Sequence, residues 1–383
     1  RKMNRAFDAV IIGGGILGIS TAYELARAGM KNICVLERKY LASGSTGRCG
    51  GGFRQQWSTE ANTTLAMASV QRLEGLEEEL GYRTEFFQGG YLILAHTEEE
   101  EQQFAKNVAM QRKLGLEVDM VDPDEARKIV PFLNTEMIRK ATWCPKDGHI
   151  NPFLLTQGYA NAAKRLGVEI HLWTNVTGIM KKSNVFFVMT ENGNTYQTPL
   201  LFNCAGGFSK GIGQMLNVDI PVDPYRHEIL VTEPVERLWN PMVISFSVGL
   251  YARQEMSGGV VMGMGDPNEP VGTYVGSSMH FMYEMSKRFS QLFPKLDKLR
   301  IVRQWAGLYE MTADAQPVLG PVDEVDNFIQ ASGFSGHGLM LAPAVSMLLA
   351  DLVVNKKKSP VIDDLNVKRL YNLKDVVKEK SVV

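Results

Sequence analysis

Two periodicities share this chain. Near its start, "FDAVII" is a short apolar run of strand type, "LGISTAYELARAG" spaces apolar residues as a helix does and closes on Gly29, and "NICVLE" is a second apolar run. Strand, helix and strand in that order make a βαβ unit, which predicts a parallel sheet buried on both faces. From Phe86 the pattern changes. "FFQGGYLILAH" reads as an antiparallel strand, a charged helix follows from about Glu98 to Leu114, and "DPDEARKIVPFL" has the signature of a short capped helix. The first pattern resumes near Asn151, where "NPFLLTQGYANAAKRLG" predicts a helix and "VEIHLW" a strand. Across 176–200 the text is strand, turn and strand with "ENGN" as the turn, and "LLFNCAGG" ends as a buried strand. From about Tyr225 to Tyr309 β runs dominate ("EILVT", "MVISF", "GVVMGMG", "RIVRQWAGLY"), broken by a helix near 277–293. "NFIQASG" then reads as a strand, "LMLAPAVSMLLADLV" as a helix and "VKEKSVV" as a fraying tail. The alternation predicts a Rossmann-like α/β part interleaved with a mixed or antiparallel β-sheet part covered by helices, neither contiguous in sequence.

Composition narrows the class. The 383 residues are 45% hydrophobic and 22% charged, an ordinary globular balance with ample material for a core. No apolar run approaches the roughly 18–20 residues that cross a bilayer, and "RKMNRAF" leads straight into a strand without a signal-peptide pattern, so a cytoplasmic protein is expected. A net charge of −1 argues against a nucleic-acid surface. Cys34, Cys49, Cys144 and Cys204 lack zinc or CxxC spacing and read as free thiols, and the six histidines form no metal-type pair.

The candidate chemistry lies in glycine. Gly13, Gly15 and Gly18 form GxGxxG around Ile16 and Leu17, between a strand and a helix. The first permits a tight turn, the second admits a pyrophosphate to the backbone, and the third allows close helix–strand packing. Glu37, followed by Arg38, ends the next strand, where an acid accepts hydrogen bonds from ribose hydroxyls. A dinucleotide follows, NAD or FAD. The next loop, "GSTGRCGGGFRQQW", holds Ser45, Thr46, Arg48, Gly50, Gly51 and Gly52, and can lie flat along a ligand. Just beyond it, Arg54 is placed to clamp a carboxylate bidentately. A second glycine-lined helix entrance, "GFSGHGLMLAP", runs through Gly333, Gly336, His337, Gly338, Leu339 and Met340. Free N–H groups of Gly336, His337 and Gly338 there would stabilise negative charge on a reduced flavin. One extended FAD accounts for both entrances; NAD accounts for the first alone. Small residues at Ala205 and Gly206, and Gly307 between aromatics, fit the same ligand.

With "GGGILG", "GSTGRCGGGFRQQW", "DGHINP", "NCAGG", "PYRHEI", "QWAGLYEMTAD" and "GFSGHGLMLAP" in that order, the chain resembles the D-amino acid oxidase-like (DAO) family of FAD-dependent oxidoreductases over nearly its whole length. It is most similar to the β subunits of dye-linked L-proline dehydrogenase and heterotetrameric sarcosine oxidase. The resemblance implies a FAD-binding domain from 1–85, 150–224 and 326–383, and a substrate-binding domain from 86–149 and 225–325. It also implies hydride transfer to flavin from a small amino acid such as L-proline or sarcosine, with a partner subunit taking electrons onward. By it, Val176 joins the cofactor residues, Arg54 holds the substrate carboxylate, and His227 and Tyr251 match active-site positions. Two positions depart from the family's monomeric oxidases. Gly307 stands where they have a flavin-tethering cysteine, which implies non-covalent FAD, and Met340 where they have a lysine. A stand-alone glycine- or opine-type oxidase and a flavin-containing scaffold subunit are the alternative readings.

Overall fold

A computed structural model describes residues 4–382. Its centre is a six-stranded sheet in the order Val318–Pro321, Phe328–Ser332, Leu201–Asn203, Ala9–Ile12, Ile33–Leu36 and Glu169–His171. All neighbours are parallel except the first pair. Both faces are buried, so the side chains sort by period two into two different cores. Ala9, Ile11, Ile33 and Val35 enter one core; Val10, Ile12, Cys34 and Leu36 enter the other. The first core is filled by helices Ile16–Arg27, Glu60–Leu73, Pro152–Arg165 and Gly338–Val353. The second is closed by a sheet of Asn4–Ala6, Thr195–Thr198, Val185–Thr190 and Val176–Lys182, which contributes Phe186, Val188 and Tyr196.

An eight-stranded sheet runs Ile301–Met311, Asp223–Thr232, Val260–Met264, Leu250–Gln254, Met242–Ser245, Tyr91–Ala95, Lys140–Cys144 and Asp119–Val121. Tyr91–Ala95 is antiparallel to Lys140–Cys144 and parallel to Met242–Ser245, so the sheet is mixed. Its alternation sets up the site. Leu92, Leu94, Val243 and Ala252 pack under helix Met279–Leu292, whose Phe281, Met285, Phe289 and Leu292 form one apolar stripe. Tyr91, Ile93, Met242, Ile244 and Tyr251 are left on the opposite face.

Helices at Glu98–Lys113 and Pro123–Ile129 form where the sequence predicts them, each with a complete capping box, Thr97 with Glu100 and Asp122 with Glu125. Two features differ from the sequence reading. The apolar rhythm does not predict helices Glu60–Leu73 and Leu76–Leu80, because Asn62, Thr63 and Ser69 put polar groups on the buried face and break it. "VKEKSVV" does not fray through residue 382, and Val383 lies outside the described residues. Glu379 is 1% exposed, and its carboxylate accepts bonds from Ser58, Thr59 and Asn62 at the start of the first of those helices.

Candidate active site

A cleft of about 510 Å³ opens at the C-terminal ends of the central parallel strands, where open α/β sheets bind ligands. Gly13, Gly15, Ile16, Leu17, Glu37, Arg38, Ser45, Thr46, Arg48, Val176, Ala205 and Gly206 all line it. The helix beginning after Gly15 gets no cap from that residue; Thr46 takes the Ile16 N–H, and the N–H groups of Leu17 and Gly18 in the first turn are left for a ligand. Gly18 lies behind the cleft: a Cβ there would stand 1.9 Å from the Gly13 carbonyl oxygen, so strand and helix touch only because it is glycine. Glu37 is committed within the chain. It accepts the Gly14 N–H at 2.7 Å, the Lys39 N–H at 2.8 Å and the Ser43 hydroxyl at 3.2 Å, which pins the turn that shapes the cleft.

The glycine-rich loop after Ser43 is fixed to strand Ile301–Met311. Ser45 donates to the Leu308 carbonyl, Arg48 to Ala306, and the Trp305 indole N–H to the Arg48 carbonyl. Thr46 accepts the Ile16 N–H at 3.1 Å, which ties the loop to the helix entrance.

Past Ile16, Thr46, Arg48, Leu308 and Glu310, whose side chains border both spaces, the cleft leads to a chamber of about 130 Å³. Gly50, Gly51, Gly52, Arg54, His227, Tyr251, Gly307, Gly336, His337, Gly338, Leu339 and Met340 line the chamber. Gly333 lines neither space; it turns the end of strand Phe328–Ser332 with φ +71°. At Gly336, φ +90° and the Tyr309 ring 2.3 Å from any Cβ both exclude a side chain. The His337 N–H is not free as the sequence suggested, because it donates to the Phe334 carbonyl at 2.9 Å. The groups without an intrahelical partner belong instead to Gly338, Leu339 and Met340 in the first turn of the helix.

Arg54 is the chamber's buried cation, 5% exposed. Its guanidinium lies 3.6 Å over the Trp57 ring and donates to the Gln56 carbonyl at 2.8 Å and to the Ser381 carbonyl. Among the described residues no carboxylate comes within ion-pair distance of it. Burial pulls its pKa down, and the electrostatic influence of Tyr91, Glu379 and Asp147 works the other way.

Opposite, the His227 and Tyr309 rings stack at 4.0 Å, and the Tyr251 hydroxyl meets His227 Nε2 at 3.1 Å. Burial drives His227 down to about 3 and Tyr251 well above the phenol range, so the pair is uncharged at neutral pH. His337, 4.5 Å from Trp57, is also neutral: burial first and the Arg54 charge second lower it to about 3. Glu310 has an unpartnered buried Oε2 among the described residues, and burial raises its pKa to about 7. Asp147 is raised by burial to about 6 while accepting from Gln55 and Gln56.

Sequence reasoning misses Tyr91, Tyr309, Glu310 and Val382 as chamber walls, and Trp57 as the platform for Arg54. "WAGLYEMTAD" marks the strand but not which side chains point inward; its alternation, with Gly307 and Tyr309 on one face, is the available clue.

A helix entrance with open N–H groups on a cleft, a glycine-lined chamber with a second helix entrance, and a buried acid with a spare oxygen at the junction suit one long dinucleotide. Among the described residues there is no His, Cys, Asp or Glu cluster that would hold a metal, and no helix long and apolar enough to cross a membrane.

Comparison with known proteins agrees. The chain is 26% identical over 370 residues to "Sarcosine oxidase subunit beta" of Rhodobacter capsulatus, covering 95% of this chain and 89% of that one. It is 27% identical to mitochondrial sarcosine dehydrogenase of Homo sapiens over 97% of its own length, but spans only 42% of that protein. The crystal structure of L-proline dehydrogenase from P. horikoshii superposes with a TM-score of 0.91 at 35% identity, covering 96% of this chain and 99% of that one. The family model described as FAD dependent oxidoreductase matches residues 8–352, and the chain belongs to that DAO family.

Proposed function

We propose that the chain oxidises the C–N bond of a small amino acid or secondary amine acid such as L-proline or sarcosine, with non-covalently held FAD. In this reading 1–85, 150–224 and 326–383 bind the cofactor, and 86–149 and 225–325 bind the substrate. The relatives named above, one a β subunit and one an L-proline dehydrogenase, support the substrate class and a partner subunit. The observation that carries the reading is Arg54, a buried guanidinium beside the glycine-lined chamber with no acid in ion-pair distance among the described residues. Such a cation recruits an anion.

When bound, FAD supplies the two-electron acceptor. The protein's part is placement. Arg54 holds the substrate carboxylate on its fork, with Trp57 fixing the plane of the guanidinium. Tyr91, Met242 and Ile244 supply an apolar wall for a small side chain or ring. The neutral His227–Tyr251 pair offers hydrogen bonds to the substrate nitrogen without adding a charge that would compete for the carboxylate. The amine must shed its proton before the C–H bond gives up hydride, and a chamber whose buried histidines are neutral does not stabilise a second cation. Glycine at 50, 51 and 52 lets this wall of the chamber pack directly against Tyr251, the Ile150 carbonyl and Tyr91.

The experiment is anaerobic mixing of the yellow protein with a panel of amino acids. L-Proline or sarcosine should bleach the flavin within the time of turnover. A flavin that stays oxidised with every small amino or imino acid overturns the reading and favours a scaffold.

A further inference from the structure

Residues 376–382 bring the Ser381 carbonyl and Val382 to the chamber beside Arg54, and two sets of contacts hold them. The first is an anchor. Glu379 accepts from the Ser58 N–H at 2.9 Å, the Ser58 hydroxyl, the Thr59 N–H at 3.1 Å, the Thr59 hydroxyl at 2.9 Å and the Asn62 amide at 3.2 Å. It sits at the N-terminus of helix Glu60–Leu73, whose dipole favours an anion. The Glu379 N–H also donates to the Asp314 carbonyl, and Gln316 donates to the Val377 carbonyl at 2.7 Å.

The second set reaches the site. The Ser381 carbonyl accepts from Nη2 of Arg54, and Val382 lines the chamber. Nη1 gives one of its two N–H groups to the Gln56 carbonyl, and the Ser381 carbonyl takes one of the two on Nη2, the nitrogen that a bidentate carboxylate would share with Nη1 or Nε. A neutral carbonyl is a weaker partner for a guanidinium than a carboxylate. An anion therefore has a reason to replace it.

We propose that residues 381–382 are a displaceable latch, anchored at Glu379, whose Ser381 carbonyl competes with the substrate carboxylate for Arg54. The inference rests on the reading of Arg54 as the carboxylate clamp. Two features suit a latch. Lys378 and Lys380 on either side of the anchor are exposed, and the backbone bonds just beyond it, from the Lys380 N–H to the Ser58 hydroxyl and from the Ser381 N–H to the Glu379 carboxylate, belong to the anchor itself. The Glu379 carboxylate does not touch Arg54 among the described contacts, so displacement of the Ser381 carbonyl leaves it in place.

The test is a double-mutant cycle on the flavin-loaded protein, read by the change in flavin absorbance as pyrrole-2-carboxylate binds. That flat anion has no C–N bond of the substrate type to oxidise. One change removes residues from Ser381 onward; the other is Arg54→Gln. Removal of the latch should tighten the anion roughly tenfold, the scale of one hydrogen bond to a charged group. It should have no effect in the Arg54→Gln background. Glu379→Gln, which keeps chain length and loosens the anchor, should shift affinity the same way by less. If Arg54→Gln weakens the anion but latch removal leaves affinity unchanged or lowers it, the latch is a fixed wall and the proposal is overturned while the clamp stands. If Arg54→Gln changes nothing even in the shortened chain, the clamp itself is overturned, and the latch with it.

Discussion

At the scale of residues, the chamber sets one deeply buried cation, Arg54, among histidines and tyrosines that burial keeps neutral. Arg54→Ala should lower kcat/KM by the cost of losing a buried charge partner, roughly 2–5 kcal/mol. Arg54→Lys should recover part of it, since an ammonium has no planar fork. Steady-state kinetics with flavin content matched will show whether the loss falls on Arg54 or whether efficiency is unchanged and the clamp lies elsewhere. Glu310 gives a pH prediction. Its pKa rises from the ordinary 4.5 to about 7 in the folded chain, chiefly through burial. The folded state thus binds the proton more tightly than the unfolded state, so the stabilising contribution is complete below about pH 4.5 and lost as pH rises through about 7. Glu310→Gln should therefore gain stability relative to the parent between pH 5 and pH 8, by at most on the order of 3 kcal/mol. Urea midpoints of the flavin-free proteins at the two pH values measure it, and parallel midpoints would show that Glu310 is solvated. Neither this acid nor Asp147 is legible as special in sequence. What raises them is burial by the folded chain, against which the hydrogen bonds from the Phe334 N–H to Glu310 and from the Gln55 N–H to Asp147 pull the other way.

Elements are far more legible, because most of them bury one face and their periodicity records it. The βαβ start, the capped helices and the β-rich stretch from Tyr225 all form where their spacing predicts. Glu60–Leu73 escapes because its inner face carries Asn62, Thr63 and Ser69, whose partners, Glu379, the Thr59 carbonyl and the Leu341 carbonyl, include two from far along the chain. Helix glycines separate local propensity from packing. Glycine to alanine in an exposed helix gains about 0.5–1 kcal/mol. Gly211 is exposed in helix Ser209–Gln214 on the rim of the cleft, and an added methyl there would have nothing within 4 Å, so the flavin-free protein should show that gain. Gly18 should show the reverse, since the same methyl would meet the Gly13 carbonyl oxygen at 1.9 Å and force helix and strand apart. The expected outcome for Gly18→Ala is a loss of about 1–3 kcal/mol, as for overpacking, together with lower flavin content. Thermal melts of the two variants against the parent decide it, and a stabilised Gly18→Ala would mean that the helix shifts freely over the strand.

At the scale of the molecule, the threading of two sheets brings residues from widely separated stretches to one chamber, which is why the motifs can be ordered in sequence but not assigned to walls. It also fixes the chamber's charge, and that bears on the electron acceptor. Electron transfer to dioxygen develops superoxide-like negative charge and benefits from a preorganised cation beside the flavin. No lysine lines the chamber among the described residues, and Met340 stands at the position where the resemblance to the family's monomeric oxidases leads one to expect it. The remaining cations are engaged. Arg48 donates to the Ser43 and Ala306 carbonyls, and Arg54 to Gln56 and Ser381 or, in the proposed complex, to the substrate carboxylate. His337 offers no substitute, since burial and the neighbouring Arg54 charge hold it neutral down to about pH 3. The chain should therefore reoxidise slowly in air and rapidly with an artificial dye, passing electrons onward as a β subunit would. The measurement is to reduce the flavin anaerobically with substrate and then follow its return in air-saturated buffer and in dye. Reoxidation by air as fast as turnover would show that the missing lysine is immaterial and that the chain works as an oxidase on its own.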